Sequence, residues 1–441
     1  MFRKRLLAAG IASVAAIAAA ITVEATASPA ARPATPKAES APAATARLTM
    51  AEAKTAATAA SPAISQISGS GGVLDFSGQA SDVALNQLQG LATDAAGDLF
   101  VANTYDNQVG EISAPSTWTP ETSDPSVLTG TATLIAGKDE WVTSYSPAGR
   151  LLNLGNGGPA VDATLNTPSA VAVDGKGDVF IADTENNMVR EVTPGGVIRT
   201  VAGTGKPGYS GDGGPAADAR LDNPSGVAVN SRGDLFIADT VNNVIREVTP
   251  NGIIRTIAGD PGAGNSGAKG KDGRGGPLGG GYSGNGGPAA DALLQHPQGL
   301  SVDANGDLFI SDTGNSVIRE ITTGGIIKTV AGEPGKFGDA GDGGQAASAE
   351  LSAPADVAVD AAGDLYIADT GNNALREVSA AGVISTLAGG NGEGNNGLGG
   401  PASAAELDTP ESVAVDSSTG DVYVTSRSGV LDQITGLPAT S

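Results

Sequence analysis

The feature that most constrains this chain is an internal period. A segment of the type V-A-V-D, x-x-G-D-L-F-I-A-D-T, x-N-N-x-I-R-E-V-T, turn, I-x-T-V-A-G recurs along it, and the first acidic or amide position falls at Asp94, Asp174, Asn230, Asp303, Asp360 and Asp416. Successive markers lie 80, 56, 73, 57 and 56 residues apart, so the basic unit is 56 residues with excesses of 24 and 17 at two places. A period of this length means an array of equal supersecondary units, each too small to bury its own apolar face.

Within one unit, Val227-Ala228-Val229, Leu235 to Ala238, Val244 to Val248 and Ile253 to Ile257 are short β-type runs separated by Ser231-Arg232-Gly233, by Thr240 to Asn243 and by Pro250-Asn251-Gly252. These are four strands joined by tight hairpin turns. No amphipathic window of ten or more residues offers a helix between them. Four antiparallel strands per unit, six units and a long link from the fourth strand to the next first strand predict an all-β, six-bladed propeller. A β-solenoid is the alternative architecture, although its rungs are usually about half this length or less.

Ring closure tests the count. The last unit runs through Val413-Ala414-Val415, Val422-Tyr423-Val424 and Val430 to Ile434 and then stops, one strand short. The missing strand is expected at the other end of the chain, where Ile64 to Gly69 matches Ile384 to Gly389. Such closure removes exposed sheet edges. The excess residues place 14 in the turn between the third and fourth strands of the first blade, 10 in the link before Asp174, and 17 in a Gly-rich stretch after Gly259 that carries Lys269, Lys271 and Arg274.

The hairpin segment Ala182 to Val192, its copies at Asp239 to Arg246, Asp312 to Arg319 and Asp369 to Arg376, and the loop Gly208-Tyr209-Ser210-Gly211-Asp212-Gly213-Gly214-Pro215-Ala216 closely resemble the NHL-repeat family. The resemblance covers about residues 64 to 436 and includes motif, order and period. Similar repeats occur in bacterial sensor-kinase ectodomains, teneurin-type adhesion proteins and a few lyases, so the resemblance implies a propeller far more firmly than an activity.

The recurring Asp and Arg stand seven positions apart across the second hairpin: Asp183 and Arg190, Asp239 and Arg246, Asp312 and Arg319, Asp369 and Arg376. A cross-strand ion pair that fixes the turn is the expected role. In the first repeat the matching positions are Asn103 and Gly110; in the last they are Ser426 and, after one deletion, Asp432. Both partners disappear together, as contact would require.

Three sets of residues are candidates for ligand contact. Tyr209, Asp212, Tyr282, Asn285, Phe337 and Asp342 belong to the glycine-rich links, where an aromatic beside a polar loop can grip a sugar or peptide; an aromatic plug between blades is the structural alternative. Gln89, Ser169, Ser225, Gln298, Ala355 and Glu411 begin the first strands, with Asp356 beside them, and are expected around the mouth of an axial channel. Of these, Glu411 and Asp356 with an amide such as Gln89 or Gln298 would have to converge for a Ca²⁺-dependent, lactonase-like hydrolase; Ca²⁺ is the one ion considered, and no other cofactor is expected. The third candidate is His296, the single histidine, conceivable as a lone general base near the channel mouth; a single histidine rules out the multi-histidine zinc site on which one group of similar propeller lyases depends. No catalytic residue is assigned.

Charge narrows the partners. With 25 Lys plus Arg against 48 Asp plus Glu, the net charge of -23 repels nucleic acid and anionic lipid. The absence of cysteine excludes a disulfide framework. Arg3, Lys4 and Arg5, the apolar run Leu6 to Val23 and Ala25-Thr26-Ala27 read as an export signal over residues 1–27, with an uncleaved anchor as the competing reading. Residues 28–62, rich in Ala, Pro and Thr, form a tether with a short helix around Leu48 to Ala60; 63–436 form the propeller and 437–441 a tail. The expected protein is a secreted or surface-held bacterial monomer without membrane insertion after cleavage. Its expected role is to bind a protein or glycan, ahead of an enzyme or a self-assembling surface protein.

Overall fold

A computed structural model describes residues 62–68, 76–79, 85–113, 131–138, 154–261 and 281–437. The export signal, the tether up to residue 61 with its short helix, Gly69, residues 262–280 with Lys269, Lys271 and Arg274, and the tail from 438 lie outside the described residues.

Six antiparallel sheets follow one another along the chain. In the third, Pro224–Val229, Leu235–Asp239, Val244–Val248 and Ile254–Ala258 pair in sequence order, innermost first. The innermost strand of each sheet packs against that of the next, and Pro410–Val415 of the sixth packs against Leu88–Thr93 of the first, so the ring is closed. Every residue of Leu235–Asp239 and Val244–Val248 is buried, because each sheet is covered on both faces by its neighbours. Side chains become exposed toward the rim, where Arg255 of Ile254–Ala258 stands in solvent between buried ends.

The sixth blade is completed from the other end of the chain. Ala63–Ser68 runs antiparallel to Leu431–Thr435, with Ile64 opposite Ile434 and Ser65 opposite Gln433. Ile64 and Ile67 are fully buried there, so the closing strand is held by packing as well as by its ladder.

Two sets of hydrogen bonds join successive blades. Thr104, Thr184, Thr240, Thr313 and Thr370 donate their hydroxyls to the carbonyls of Pro168, Pro224, Pro297, Pro354 and Pro410, at 2.7–2.8 Å. Thr425 completes the circle to Leu88 at 3.5 Å. Outside them, Asn107, Asn187, Asn243 and Asn373 accept the backbone N–H groups of Thr167, Asn223, His296 and Thr409, and Ser316 does the same for Ala353. The inner strands approach so closely that a Cβ on Gly226 would lie 1.9 Å from the Gln298 carbonyl oxygen, which is why that position is glycine.

The glycine-rich links cover the outer edges. Gly213 donates to the Ile254 carbonyl at 2.8 Å and Ile254 donates to that of Gly214 at 3.1 Å, so the link entering the third blade lies along that blade's last strand. Covered edges of this kind do not recruit other chains. One element had no forerunner among the repeats: Ser77–Gln79 adds a fifth strand outside Thr131–Ala136 of the first blade.

Candidate functional site

The four Asp/Arg pairs are buried and lie within ion-pair distance. Arg190–Asp183, Arg246–Asp239, Arg319–Asp312 and Arg376–Asp369 are 3.2, 3.3, 3.4 and 3.4 Å apart, and all eight side chains are inaccessible to solvent. Each aspartate also accepts a backbone N–H at the start of its own blade, from Asn166, Asp222, Gln295 or Ser352. Burial pushes Asp239, Asp312 and Asp369 up to about 6, against the pull of these donors.

Each arginine reaches further than its hairpin. Its second terminal nitrogen meets the glycine-rich link: Asp212 at 2.6 Å from Arg246, Asp342 at 2.6 Å from Arg376, Asn156 at 2.9 Å from Arg190, and the Ser283 carbonyl at 3.1 Å from Arg319. The guanidinium therefore pins the link to the hairpin, as a planar bidentate group can.

Most of the link residues considered for ligand contact are bound up in these nodes. The Tyr209 ring stacks on Arg246 at 4.7 Å, and its hydroxyl bonds Asp212 and Thr256, both at 2.7 Å. Tyr282 stacks on Arg319 at 4.6 Å and bonds Thr329. Asn285 accepts from the Thr329 N–H, and Asp342 from that of Thr386. Phe337 stands outside these bonds, 65% exposed.

The first and last blades lack the node in different ways. A Cβ on Gly110 would lie 1.9 Å from the Phe76 ring, so an aromatic fills the first blade's arginine space. In the sixth, Asp432 is fully buried, its Oδ1 has no hydrogen-bond partner, and burial pushes it up to about 8. Leu398 takes the place in the link that Asp212 holds in the third blade.

The axial channel encloses about 750 Å³. At one end its lining includes Gln89, Ser169, Ser225, Gln298, Ala355, Asp356 and Glu411, together with Arg427, which the sequence reading did not single out. Its signal was present: Thr425-Ser426-Arg427 replaces Ala-Asp-Thr, and the hydroxyl that joins neighbouring blades moves from the third to the first position. Asp356 accepts from the Ser412 hydroxyl at 2.5 Å, the Val413 N–H at 3.1 Å and the Val357 N–H at 2.9 Å. Burial nevertheless pushes it up to about 7. Glu411 is raised by burial and drawn down by Arg427, 3.8 Å away. Among the described residues no three His, Asp or Glu side chains gather as a metal site would require. His296 occupies the left-handed position that Gln87, Thr167, Asn223, Ala353 and Thr409 hold before other inner strands.

Comparison with known proteins matches the repeats. The model of the teneurin NHL domain matches residues 204–269, 263–338 and 333–396. Teneurin-3 of Mus musculus is 30% identical over 66% of this chain and 10% of its own length, and human teneurin-1 is 31% identical over 51% and 8%. The chain thus spans about a tenth of the length of these relatives. A structural genomics protein from Bacteroides thetaiotaomicron superposes with a TM-score of 0.55 at 15% identity, covering 85% of this chain and 76% of the other. An auxiliary nutrient binding protein from the same species gives 0.53 at 12% identity, covering 84% and 75%. At these identities the structures share the fold.

Proposed function

Because the chain belongs to the NHL-repeat β-propeller family, we propose that it is an exported binding or scaffold module that receives a protein or glycan at the mouth of its axial channel. The observation that carries this reading is a contrast within the repeat. Strands, turns and inter-blade ties recur from blade to blade, whereas Gln89, Ser169, Ser225, Gln298, Ala355 and Glu411 bring four residue types to one ring. Ser169 and Ser225 bond the threonines of the inter-blade ties, which leaves Gln89, Gln298 and Glu411 as the positions free to specify a ligand.

The channel volume is that of a typical ligand pocket, and the mouth mixes amides, hydroxyls, a carboxylate and a guanidinium above an apolar wall. Export is argued from the basic and apolar N-terminal segment. Among the described residues no helix is long and apolar enough to cross a membrane.

A Ca²⁺-dependent hydrolase would need Asp356 to offer an oxygen to the axis, and both of its oxygens already accept hydrogen bonds. Calcium and chelator are therefore expected to leave the melting midpoint unchanged; a calcium-dependent rise with about one ion per chain would restore the hydrolase reading. The direct test is binding to glycan and peptide arrays by the wild type and by Gln89→Ala/Gln298→Ala/Glu411→Ala. The triple variant should keep its midpoint and weaken the strongest binder by about tenfold or more. Unchanged binding, or conversion of the bound species to product, would overturn the proposal.

A further inference from the structure

Lys206 and Arg220 are exceptions in an acidic protein. Among the described residues, every other lysine and arginine has an ion pair or a further polar partner. Lys206 and Arg220 have none for their side chains, and both line one groove of about 1400 Å³ between the links that enter the second and third blades. The same lining contains Thr204, whose hydroxyl is buried without a hydrogen-bond partner. Asn156 and Thr200, hydrogen-bonded to each other at 3.1 Å, stand beside it, over an apolar floor of Leu154 and Met188.

Among the described residues, the second blade departs from the pattern of the third. In the third blade Tyr209 lies over Arg246 and bonds Thr256; in the second, Thr200 bonds Asn156. Among the described residues of the lining none is aromatic.

We propose that this groove is a ligand site for an anionic saccharide, with the acid group met by Lys206 and Arg220 and the hydroxyls by Asn156 and Thr200. Two uncompensated cations select an anion. Asp218, on the same lining, is exposed and pairs with neither. A peptide strand is the poorer occupant, because the outer strand's edge is already taken: Gly157 donates to the Ile198 carbonyl at 2.8 Å, and Ile198 donates to that of Gly158 at 3.2 Å. What remains is a set of side-chain hydroxyl and amide groups with an apolar floor, which matches a polyhydroxyl ring better than an extended backbone. The net charge of -23 repels long polyanions, so the fit is to a short acidic segment.

The test is titration calorimetry on the full exported protein with trigalacturonate, its neutral methyl ester, hexaglutamate and inorganic sulfate. The proposal requires that trigalacturonate binds, that the ester binds about tenfold more weakly or worse, and that Lys206→Gln and Arg220→Gln each weaken trigalacturonate by about tenfold. Arg232→Gln, which removes an equal charge at another exposed site, should leave the affinity unchanged. Melting midpoints of all variants confirm that the fold is kept. No binding of trigalacturonate, equal binding of the ester, tighter binding of hexaglutamate, sulfate binding as tightly as the trisaccharide, or indifference to the two substitutions would each overturn it. The outcome is independent of what the channel mouth receives.

Discussion

Asp432 sits where four other blades place an arginine, and its carboxyl has no ion pair to offset burial. Its pKa is raised from the ordinary carboxylate range to about 8. A raised value in the folded state means that folding takes up a proton, so this group's contribution is complete below about pH 4 and is lost as pH rises toward 8. Asp432→Asn keeps the shape and removes the titration. Denaturant unfolding at pH 8.5 should find the variant more stable than wild type by on the order of a few kcal/mol, with little difference at pH 4. Equal pH dependence in both proteins would refute the assignment. Asp356, pushed up to about 7, leaves a residual slope of the same sign in the variant. The arginine nodes behave differently, because Arg246 and Arg376 each face a carboxylate on two sides. Arg246→Met strands Asp239 in the interior and frees Asp212, at a cost of about 3–5 kcal/mol. Replacing Asp239 by Leu as well should recover much of that loss, and a double-mutant cycle on thermal unfolding measures it.

At the level of strands and links, the closing strand is the element on which the ring depends. Removing residues up to Ser68 bares the edge of Leu431–Thr435 and uncovers the packing around Ile434. The shortened protein is expected to associate and to melt earlier, and a peptide of residues 62–68 added in trans should reverse both. A monomer of unchanged midpoint after the deletion would show that the strand is dispensable. This strand was legible in the sequence because a propeller repeat has a phase, and an unfinished last unit demands its complement elsewhere. The five-residue strands around the repeated Leu-Phe-Ile-Ala-Asp runs were legible for the same reason. Ser77–Gln79 and Phe76 were not, since the glycine-rich Gly-Gly-Pro-Ala sequence that lies along the outer strand in other units, as Gly287–Pro288 does in the fourth, is missing there. The link aspartates were read as open to ligands because sequence spacing exposes a seven-residue partnership within a hairpin but not one of 34 residues to a different element. The channel mouth could be located by counting, whereas the direction in which Asp356 turns depended on a hydroxyl in the next blade, Ser412.

For the molecule as a whole, the inter-blade bonds decide how it comes apart. An open array of repeats unfolds as a sum of neighbouring interfaces and can lose its end units first. Here there is no end unit: Thr425 carries the threonine circle across the junction to Leu88, and the closing strand belongs by sequence to one terminus and by pairing to the other. Loss of the sixth blade breaks two interfaces at once and leaves both neighbours half uncovered. Unfolding should therefore be a single transition, with tyrosine fluorescence and far-ultraviolet circular dichroism coinciding over the whole curve. Ile64→Asp, which places a charge in the packed face of the closing strand, should open the ring and separate the two signals, because blades away from the junction retain both inner-strand neighbours while the sixth does not. Coincident curves in that variant would mean that cooperativity resides in each blade-to-blade interface and not in closure.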